Sequence, residues 1–141
     1  MAGSSDTNDA SFERPGDLAV AEAAAATLPK FQKELSAGTV SLVLLALLQR
    51  VQEPLYGYQI AKRLEGESDD SLPLKQCTLY PVLRSLEATG LLVSHVEPSV
   101  SGPPRRYYSI TVLGQESLDT WKKAWARTRD FVDAVLEGHR G

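Results

Sequence analysis

The chain has 141 residues, of which 43% are hydrophobic and 23% charged, and its formal net charge is −3; this favours one globular domain with appendages. Its one cysteine excludes an internal disulfide and a CxxC metal site. The longest apolar run, residues 42–48, is shorter than the ~20 residues of a membrane span, and no signal-peptide pattern follows Met1, so we expect a cytoplasmic protein.

The acidic excess lies at the N-terminal end of the chain. Residues 1–37 hold three Lys/Arg against six Asp/Glu, whereas residues 38–110 hold seven of each and residues 111–141 hold five of each. Within residues 71–110, four basic residues stand against two acidic ones. Because local charge decides what a surface attracts, the overall charge does not describe this segment.

The N-terminal segment divides into two parts by composition. Residues 1–16 are rich in Ser, Asp, Asn and Gly and show no apolar periodicity, which predicts disorder. Residues 18–28 are rich in alanine and predict a helix that is bent or split near Pro29. We therefore predict an N-terminal extension over residues 1–36 with one extra helix. A solvated arm is the alternative interpretation.

Two helices are predicted next along the chain. Residues 39–51 are apolar nearly all round, which is typical of a helix at the centre of a core. Residues 57–65 carry apolar side chains at helical spacing and predict the second helix. The composition of residues 66–71 predicts a turn.

A third helix is predicted from about Lys75 to Thr89. Its apolar stripe consists of Leu79, Val82, Leu83 and Leu86. Burial of the stripe turns a polar set away from the core: Lys75, Gln76, Thr78, Tyr80, Arg84 and Ser85. Pro81 is tolerated if the regular helix begins about one turn earlier, and Gly90 ends the helix.

A β-hairpin is predicted after this helix. Residues 91–97 and 105–110 predict its two strands. Residues 98–104 contain Gly and Pro and predict a connection longer than a minimal turn, which projects as a semi-stiff finger. Arg105 and Arg106 are then expected at the tip of the finger.

The last predicted helix begins after Thr111, a residue type that caps helix starts. Apolar or small residues recur along it at spacings of 3, 4, 3, 4 and 3: Leu118, Trp121, Trp125, Thr128, Val132 and Val135. Such a narrow seam is typical of a helix that packs against another helix. Since the seam would expose a large apolar patch in a monomer, we expect a homodimer.

Several of these motifs, in this order, resemble the PadR family of winged-helix transcriptional regulators over about residues 37–136. The motifs are Tyr56-Gly57-Tyr58-Gln59-Ile60, then Thr-Leu-Tyr-Pro-Val-Leu-Arg-Ser-Leu-Glu from residue 78, Gly-Leu-Leu-Val from residue 90, and Gly-Pro-Pro-Arg-Arg-Tyr-Tyr-Ser-Ile-Thr from residue 102. The resemblance implies a mainly α fold with a small β-hairpin. Residues 37–110 would form the winged helix-turn-helix DNA-binding domain and residues 111–141 a C-terminal dimerisation helix.

The resemblance makes the third helix a recognition helix and the hairpin a wing. The candidate DNA-binding residues are Tyr58, Lys75, Gln76, Thr78, Tyr80, Arg84, Arg105 and Arg106. The N-terminal end of a recognition helix usually approaches base edges, and Gln and Thr suit adenine and thymine there. A tyrosine hydroxyl at the start of the preceding helix, and arginines on the wing, suit phosphates or the minor groove.

Each candidate has an ordinary structural alternative. Isolated Lys and Arg side chains on helices are usually only solvated, and Tyr58 and Tyr80 could be half-buried packing residues. Arg105 could protect the edge of a strand. The corresponding functional alternative is a winged-helix protein–protein interaction module without DNA binding. The basic wing favours DNA, because a protein-binding wing would more often be apolar or acidic.

The combined reading is a homodimeric repressor that binds double-stranded DNA at an inverted-repeat operator. In multidrug-responsive relatives, tryptophans on the dimerisation helix stack on flat ligands, so a small aromatic effector at Trp125 is one use of the seam. Dimer packing alone is the interpretation we favour for these tryptophans, since a Trp that fills a seam needs no ligand. His95 and His139 lack further ligand residues for a metal site, and no catalytic set is visible. We therefore expect no enzyme activity, no cofactor and no metal, and free Cys77 is expected to be filler.

Overall fold

The computed structural model describes residues 15–67 and 76–138. The chain divides into two compact units, Met1–Ser36 and Ala37–Gly141. The helices are α1 (Pro15–Ala26), α2 (Leu28–Val51), α3 (Gly57–Glu67), α4 (Gln76–Ala88) and α5 (Val112–Glu137). The strands are β1 (Leu55–Tyr56), β2 (Leu92–Ser99) and β3 (Gly102–Ile110). The predicted class, mainly α with a small β-hairpin, is confirmed.

The N-terminal helices meet at Thr27, two residues before the proline that predicted the split. The Thr27 N–H and hydroxyl both donate to the Ala24 carbonyl, at 3.1 and 2.7 Å. Pro29 then lies in the first turn of α2, where a missing N–H costs little. The segment predicted as disordered lies outside the described residues, except that Pro15 and Gly16 are helical.

Helix α2 is longer than predicted. We expected the central helix to begin at Thr39, but it begins at Leu28 and continues without a break. Gly38 costs only about 1 kcal/mol in a helix interior, and no proline follows Pro29 before the helix ends. The predicted central position is confirmed, because the second half of α2 carries most of its buried side chains.

The core of the second unit is built from the predicted apolar stripes. Its buried members are Val40, Leu44, Leu45, Leu47, Leu48, Leu55, Ile60, Leu64, Leu79, Leu83, Leu86, Leu91, Leu92, Tyr108 and Leu118. The helices α2, α3 and α4 each bury one face, and the sheet and the first part of α5 complete the packing. The stripe predicted for α4 is thus confirmed as a core stripe.

The sheet has the strand order β1-β3-β2 and is antiparallel throughout. Tyr56 of β1 pairs with Tyr107, and Leu92 of β2 pairs with Ile110. Because successive residues of a strand point to opposite faces, Tyr108 faces the core while Tyr107 faces away from it. The sheet therefore has one core face and one outer face.

The loop predicted over residues 98–104 is wrong. The strands continue to Ser99 and Gly102, which pair with each other, so only Val100 and Ser101 connect them. The register shifts between Glu97 and Ser99, which leaves Pro98 opposite two prolines of β3. Proline has no N–H for the ladder and is tolerated at such bulges. The prolines therefore lie within the hairpin strands and do not form a finger.

Two glycines fix the junctions around β2. Gly90 has a φ of +85°, and its N–H and that of Leu91 donate to Glu87 and Leu86 carbonyls, which is the Schellman ending of a helix. Gly114 lies in the first turn of α5, where an added Cβ would clash with the Leu91 carbonyl oxygen. Thr111 caps α5 as predicted, accepting from the Gly114 N–H at 3.0 Å.

The helical stretch Gly16–Val51 is long and apolar enough to cross a membrane by length and composition alone. Its second half, however, supplies buried leucines to the core of the second unit. Since the core helix of a soluble protein meets the same criterion, the stretch is weak support for a membrane location.

Candidate nucleic-acid interface

The start of α3 places Tyr58 at the surface. The Gln59 side chain accepts from the Tyr56 N–H at 3.2 Å, in the manner of a capping box, and so fixes the first turn of the helix. Tyr58 is 51% exposed, and its ring lies 6.4 Å from the Tyr56 ring at a small interplanar angle. The phenol of Tyr58 therefore stands beside β1 and is accessible from solvent.

Tyr80 of α4 packs against Gly57. A Cβ built on Gly57 would lie 2.7 Å from Tyr80 Cε1 and 2.8 Å from its hydroxyl oxygen. Gly57 is itself buried, whereas Tyr80 is half-buried and packs against the core. The Tyr80 ring is therefore half-buried and packed, as the alternative to a purely DNA-contacting role predicted. Its position depends on the absence of a side chain at Gly57.

The exposed face of α4 carries Thr78, Arg84 and Ser85. Gln76 is the first residue of the helix, and only its backbone is described. Lys75 lies outside the described residues. Of the predicted polar set, Thr78, Arg84 and Ser85 are thus exposed, whereas Tyr80 is half-buried.

The two wing arginines lie on opposite faces of the hairpin. Both sit in β3 away from its tip, since Arg105 pairs with Glu97 and Arg106 with Val96. The Arg105 guanidinium lies 4.5 Å from the centre of the Tyr56 ring, a cation–π distance. The Arg106 Nη1 donates to Ser94 Oγ at 2.9 Å on the other face. The expectation that both arginines occupy the tip was wrong because the strands extend further than predicted.

The Tyr56 ring, on which Arg105 lies, belongs to a row of aromatic side chains on the sheet. The Tyr107 ring meets Tyr56 edge to face at 5.3 Å and stacks on His95 at 5.6 Å. His95 Nε2 lies 2.8 Å from the Glu97 carboxylate. The Tyr56 ring thus contacts Arg105, Tyr58 and Tyr107. Sequence reasoning did not find this group, because its members come from β1, β2 and β3.

A groove of about 440 Å³ lies between the wing and the starts of the helices. Its lining includes Tyr80 of α4, Gly57 of α3, and both Arg105 and Arg106. Residues that are far apart in the sequence thus border one concave surface. The groove is thus bordered by the arginine-bearing strand β3 and by Tyr80 of α4.

Tyr108 of β3 has its side chain buried in the core. Burial raises the pKa of the Tyr108 phenol above its ordinary value of 10.0, and the nearby carboxylate of Glu87 acts in the same direction. The guanidinium groups of Arg106 and Arg84 oppose this rise in the pKa. Charged side chains of both α4 and β3 therefore act on the pKa of the one buried phenol.

The predicted seam of α5 has a buried first part and an exposed distal part. Leu118 is 2% exposed and Trp121 packs against the core, so both serve their own chain. Beyond them, Trp125, Val132 and Val135 are 40%, 43% and 62% exposed, and Thr128 is exposed as well. Phe131 and Leu136 widen the exposed stripe. Only this distal part of the seam is open to a partner.

Within residues 15–67 and 76–138, no group of three or more His, Cys, Asp or Glu side chains is arranged to hold a metal ion.

Comparisons with known proteins point to one family. Residues 44–120 match the sequence profile of the transcriptional regulator PadR-like family. A PadR family transcriptional regulator from Eggerthella lenta is 34% identical with a TM-score of 0.69, over 82% of this chain and 97% of that one. A PadR-like transcriptional regulator from Bacillus cereus is 26% identical with a TM-score of 0.60, over 77% of this chain and 98% of that one.

One curated protein, an uncharacterized protein of Lysinibacillus sphaericus, is 28% identical over 107 residues, which are 76% of this chain and 96% of that protein. The family profile spans more than half of the chain, from the buried part of α2 to the first part of α5. The two solved structures, from Eggerthella lenta and Bacillus cereus, share the winged-helix fold of this chain, including the hairpin and the terminal helix. The chain therefore belongs to the PadR-like family of transcriptional regulators.

Proposed function

We propose that the protein is a sequence-specific repressor that binds double-stranded DNA in the cytoplasm as a homodimer at an inverted-repeat operator. Family membership supports DNA-binding regulation rather than catalysis. The observation that carries the proposal is the groove that joins Tyr80 of α4 to Arg105 and Arg106 of the wing. A recognition helix and a basic wing on one surface can engage adjacent parts of a duplex.

The proposed contacts fall into two kinds. Thr78 and Gln76, with Lys75 before them, start the recognition helix and would read base edges in the major groove. Tyr58, Arg84, Arg105 and Arg106 would contact phosphates or the minor groove, which gives affinity and orientation but little sequence information. The phenol of Tyr80 would lie near the phosphates of the bound DNA while its ring stays packed on Gly57.

The arrangement of Tyr58 and Arg105 supports a joint phosphate contact. Both are adjacent to the Tyr56 ring, one by ring stacking and the other by cation–π contact. A guanidinium held over a ring loses less conformational freedom when it binds an anion than a free one does. The outer face of the wing would thus approach the backbone of the DNA beside α3.

The distal part of α5 supports a homodimer. Its exposed apolar stripe, from Trp125 to Leu136, is the kind of surface that monomers seldom leave open. A two-fold axis that covers this stripe would pair two DNA-binding domains, with half-sites about one helical turn apart or a multiple of it. Trp125 would lie in the interface, where packing alone explains it. A flat aromatic effector that stacks there would release DNA only if it prefers the DNA-free geometry.

A gel shift with the promoter region of the protein's own gene tests the proposal. The expected result is a complex on this duplex that survives competition by an excess of duplex of mixed sequence. A protein–protein interaction module, the alternative function, predicts no shift on either duplex at low salt. The absence of any shift would contradict DNA binding, and equal competition by both duplexes would contradict sequence specificity.

A further inference from the structure

The last turn of α4 is joined to both strands of the wing through three side chains. Ser94 Oγ of β2 donates to the Glu87 carboxylate at 2.6 Å, and Arg106 Nη1 of β3 donates to the same Ser94 oxygen at 2.9 Å. We propose that Glu87 and Ser94 are positioning residues that hold the Arg106 guanidinium in place for a DNA phosphate. This inference rests on the proposed function, because it names how one of the DNA-contacting side chains is oriented.

The direction of each hydrogen bond in this relay is fixed by chemistry. An ionised carboxylate only accepts, and a guanidinium only donates. The single hydroxyl hydrogen of Ser94 must therefore point to Glu87, which leaves the oxygen lone pairs for Arg106. Loss of the hydroxyl would break both bonds at once, so Ser94 is the residue on which the relay depends.

The strand register brings the relay residues to one face. Ser94 pairs with Tyr108 and Val96 pairs with Arg106, so Ser94 and Arg106 are diagonal neighbours on the same side of the hairpin. Such neighbours lie within reach of long side chains. Glu87 reaches them from α4, which packs below this face and buries its apolar stripe in the core. The position of Arg106 is thereby tied to the recognition helix itself.

The relay should reduce the side-chain entropy that Arg106 loses when it binds a phosphate. A free arginine side chain loses part of its rotamer entropy when it binds an anion. Glu87 and Ser94 are half-buried while Arg106 is exposed, so the two inner members are held by packing and the outer one remains accessible. The relay uses one of the five N–H donors of the guanidinium, and the group can still bind a phosphate.

Arg105 provides a matched control within the same hairpin. It is the neighbouring residue on β3 but faces the opposite side, where it lies over the Tyr56 ring. Removal of the Ser94 hydroxyl should therefore change the behaviour of Arg106 and leave that of Arg105 as it was.

The first experiment measures binding to a duplex of mixed sequence as a function of salt. Ser94→Ala should weaken binding about two- to tenfold, the factor for one net hydrogen bond. If the phosphate contact is lost, the log–log salt slope should become shallower by about 0.9. Ser94→Thr keeps the hydroxyl and should restore both quantities. A purely structural role would lower the melting temperature without changing the slope.

A double-mutant cycle assigns the effect to Arg106. Ser94→Ala should have almost no further effect on binding in an Arg106→Ala background, but its full effect in an Arg105→Ala background. Equal effects in the two backgrounds, or an unchanged affinity and slope in Ser94→Ala itself, would overturn the proposal.

A measurement without DNA separates failure of the relay from failure of DNA binding. In the ¹⁵N-labelled protein, the heteronuclear NOE of the Arg106 Nε–Hε group should indicate an ordered side chain, and it should fall in Ser94→Ala but not in Ser94→Thr. An Arg106 signal that Ser94→Ala leaves unchanged would overturn the relay, whatever the DNA result. An ordered Arg106 in a protein that binds no DNA would overturn the proposed function, and with it the role of the relay there.

Discussion

Helix α4 and the distal part of α5 carry the same kind of apolar stripe, which is buried in α4 and exposed in the distal part of α5. In α4 the leucines of the stripe are buried in the core of their own chain, and polar side chains cover the other face. In α5 the stripe begins in the same core at Leu118 but is exposed from Trp125 onward. A regular apolar stripe thus predicts a packing surface. Only the burial of its side chains in the structure shows whether the surface packs against the same chain.

The largest expected effect is at the buried end of α5. Leu118→Asp would place an unpaired charge in the core, which should lower the free energy of unfolding by about 4 kcal/mol or more. Chemical denaturation followed by circular dichroism measures this change. A stable, native-like Leu118→Asp protein would show that the first part of α5 does not belong to the core.

The matched substitution at the exposed end should leave the fold intact. Val132→Asp is expected to keep the circular dichroism spectrum of the wild type and to weaken the dimer by about 3 kcal/mol, since both copies carry a charge into the interface. Analytical ultracentrifugation over a range of concentrations measures the dissociation constant. A Val132→Asp protein that remains as dimeric as the wild type would remove this stripe from the interface.

On the wing, Arg105→Ala combined with Arg106→Ala should weaken binding to specific and mixed-sequence DNA alike, by about 2–3 kcal/mol. Two phosphate contacts are lost, so the log–log salt slope should become shallower by about 1.8. Fluorescence anisotropy at several salt concentrations gives both values. The wing would have no part in binding if affinity and slope stayed at their wild-type values.

At the start of α4, Thr78→Ala or Gln76→Ala should cost about 1–3 kcal/mol on the operator and little on mixed-sequence DNA. The reason is that base contacts distinguish sequences whereas phosphate contacts do not. Competition titrations with the two duplexes measure the ratio. Equal losses on both duplexes would mean that α4 only orients the protein.

The smallest effect concerns Tyr108, whose pKa is raised by burial and by Glu87. The folded protein holds the phenolic proton more tightly than the unfolded chain, so this contribution to stability is complete below the ordinary pKa of 10.0 and declines as the pH rises through the folded-state pKa. Tyr108→Phe should therefore reduce the loss of stability above about pH 10. Denaturation midpoints across alkaline pH measure the difference, and identical pH profiles would contradict it.

The core could be predicted from sequence because its helices carry regular stripes, as the burial of Leu79, Leu83 and Leu86 shows. Gly90 and Thr111 were also correctly predicted, because their residue types act locally at helix ends. The hairpin itself was predicted, but its connection over residues 98–104 was not, since Gly and Pro composition suggests a loop and gives no sign that the prolines belong to a bulge within the strands.

Contacts between elements had no local signal. The fit of Tyr80 against Gly57 and the cation–π contact of Arg105 with Tyr56 join residues from different elements. Glu87 and Ser94 are ordinary polar residues in the sequence, and their link to Arg106 exists only once β2, β3 and α4 are packed.

The most direct test of the division between a DNA-binding face and a dimer-forming helix is an NMR titration of the ¹⁵N-labelled protein with a duplex that carries its operator. We predict that the amide shifts of Tyr58, Thr78, Tyr80, Arg105 and Arg106 change, while those of residues 125–136 change little. Shift changes concentrated in residues 125–136, with α4 and the wing unaffected, would contradict it.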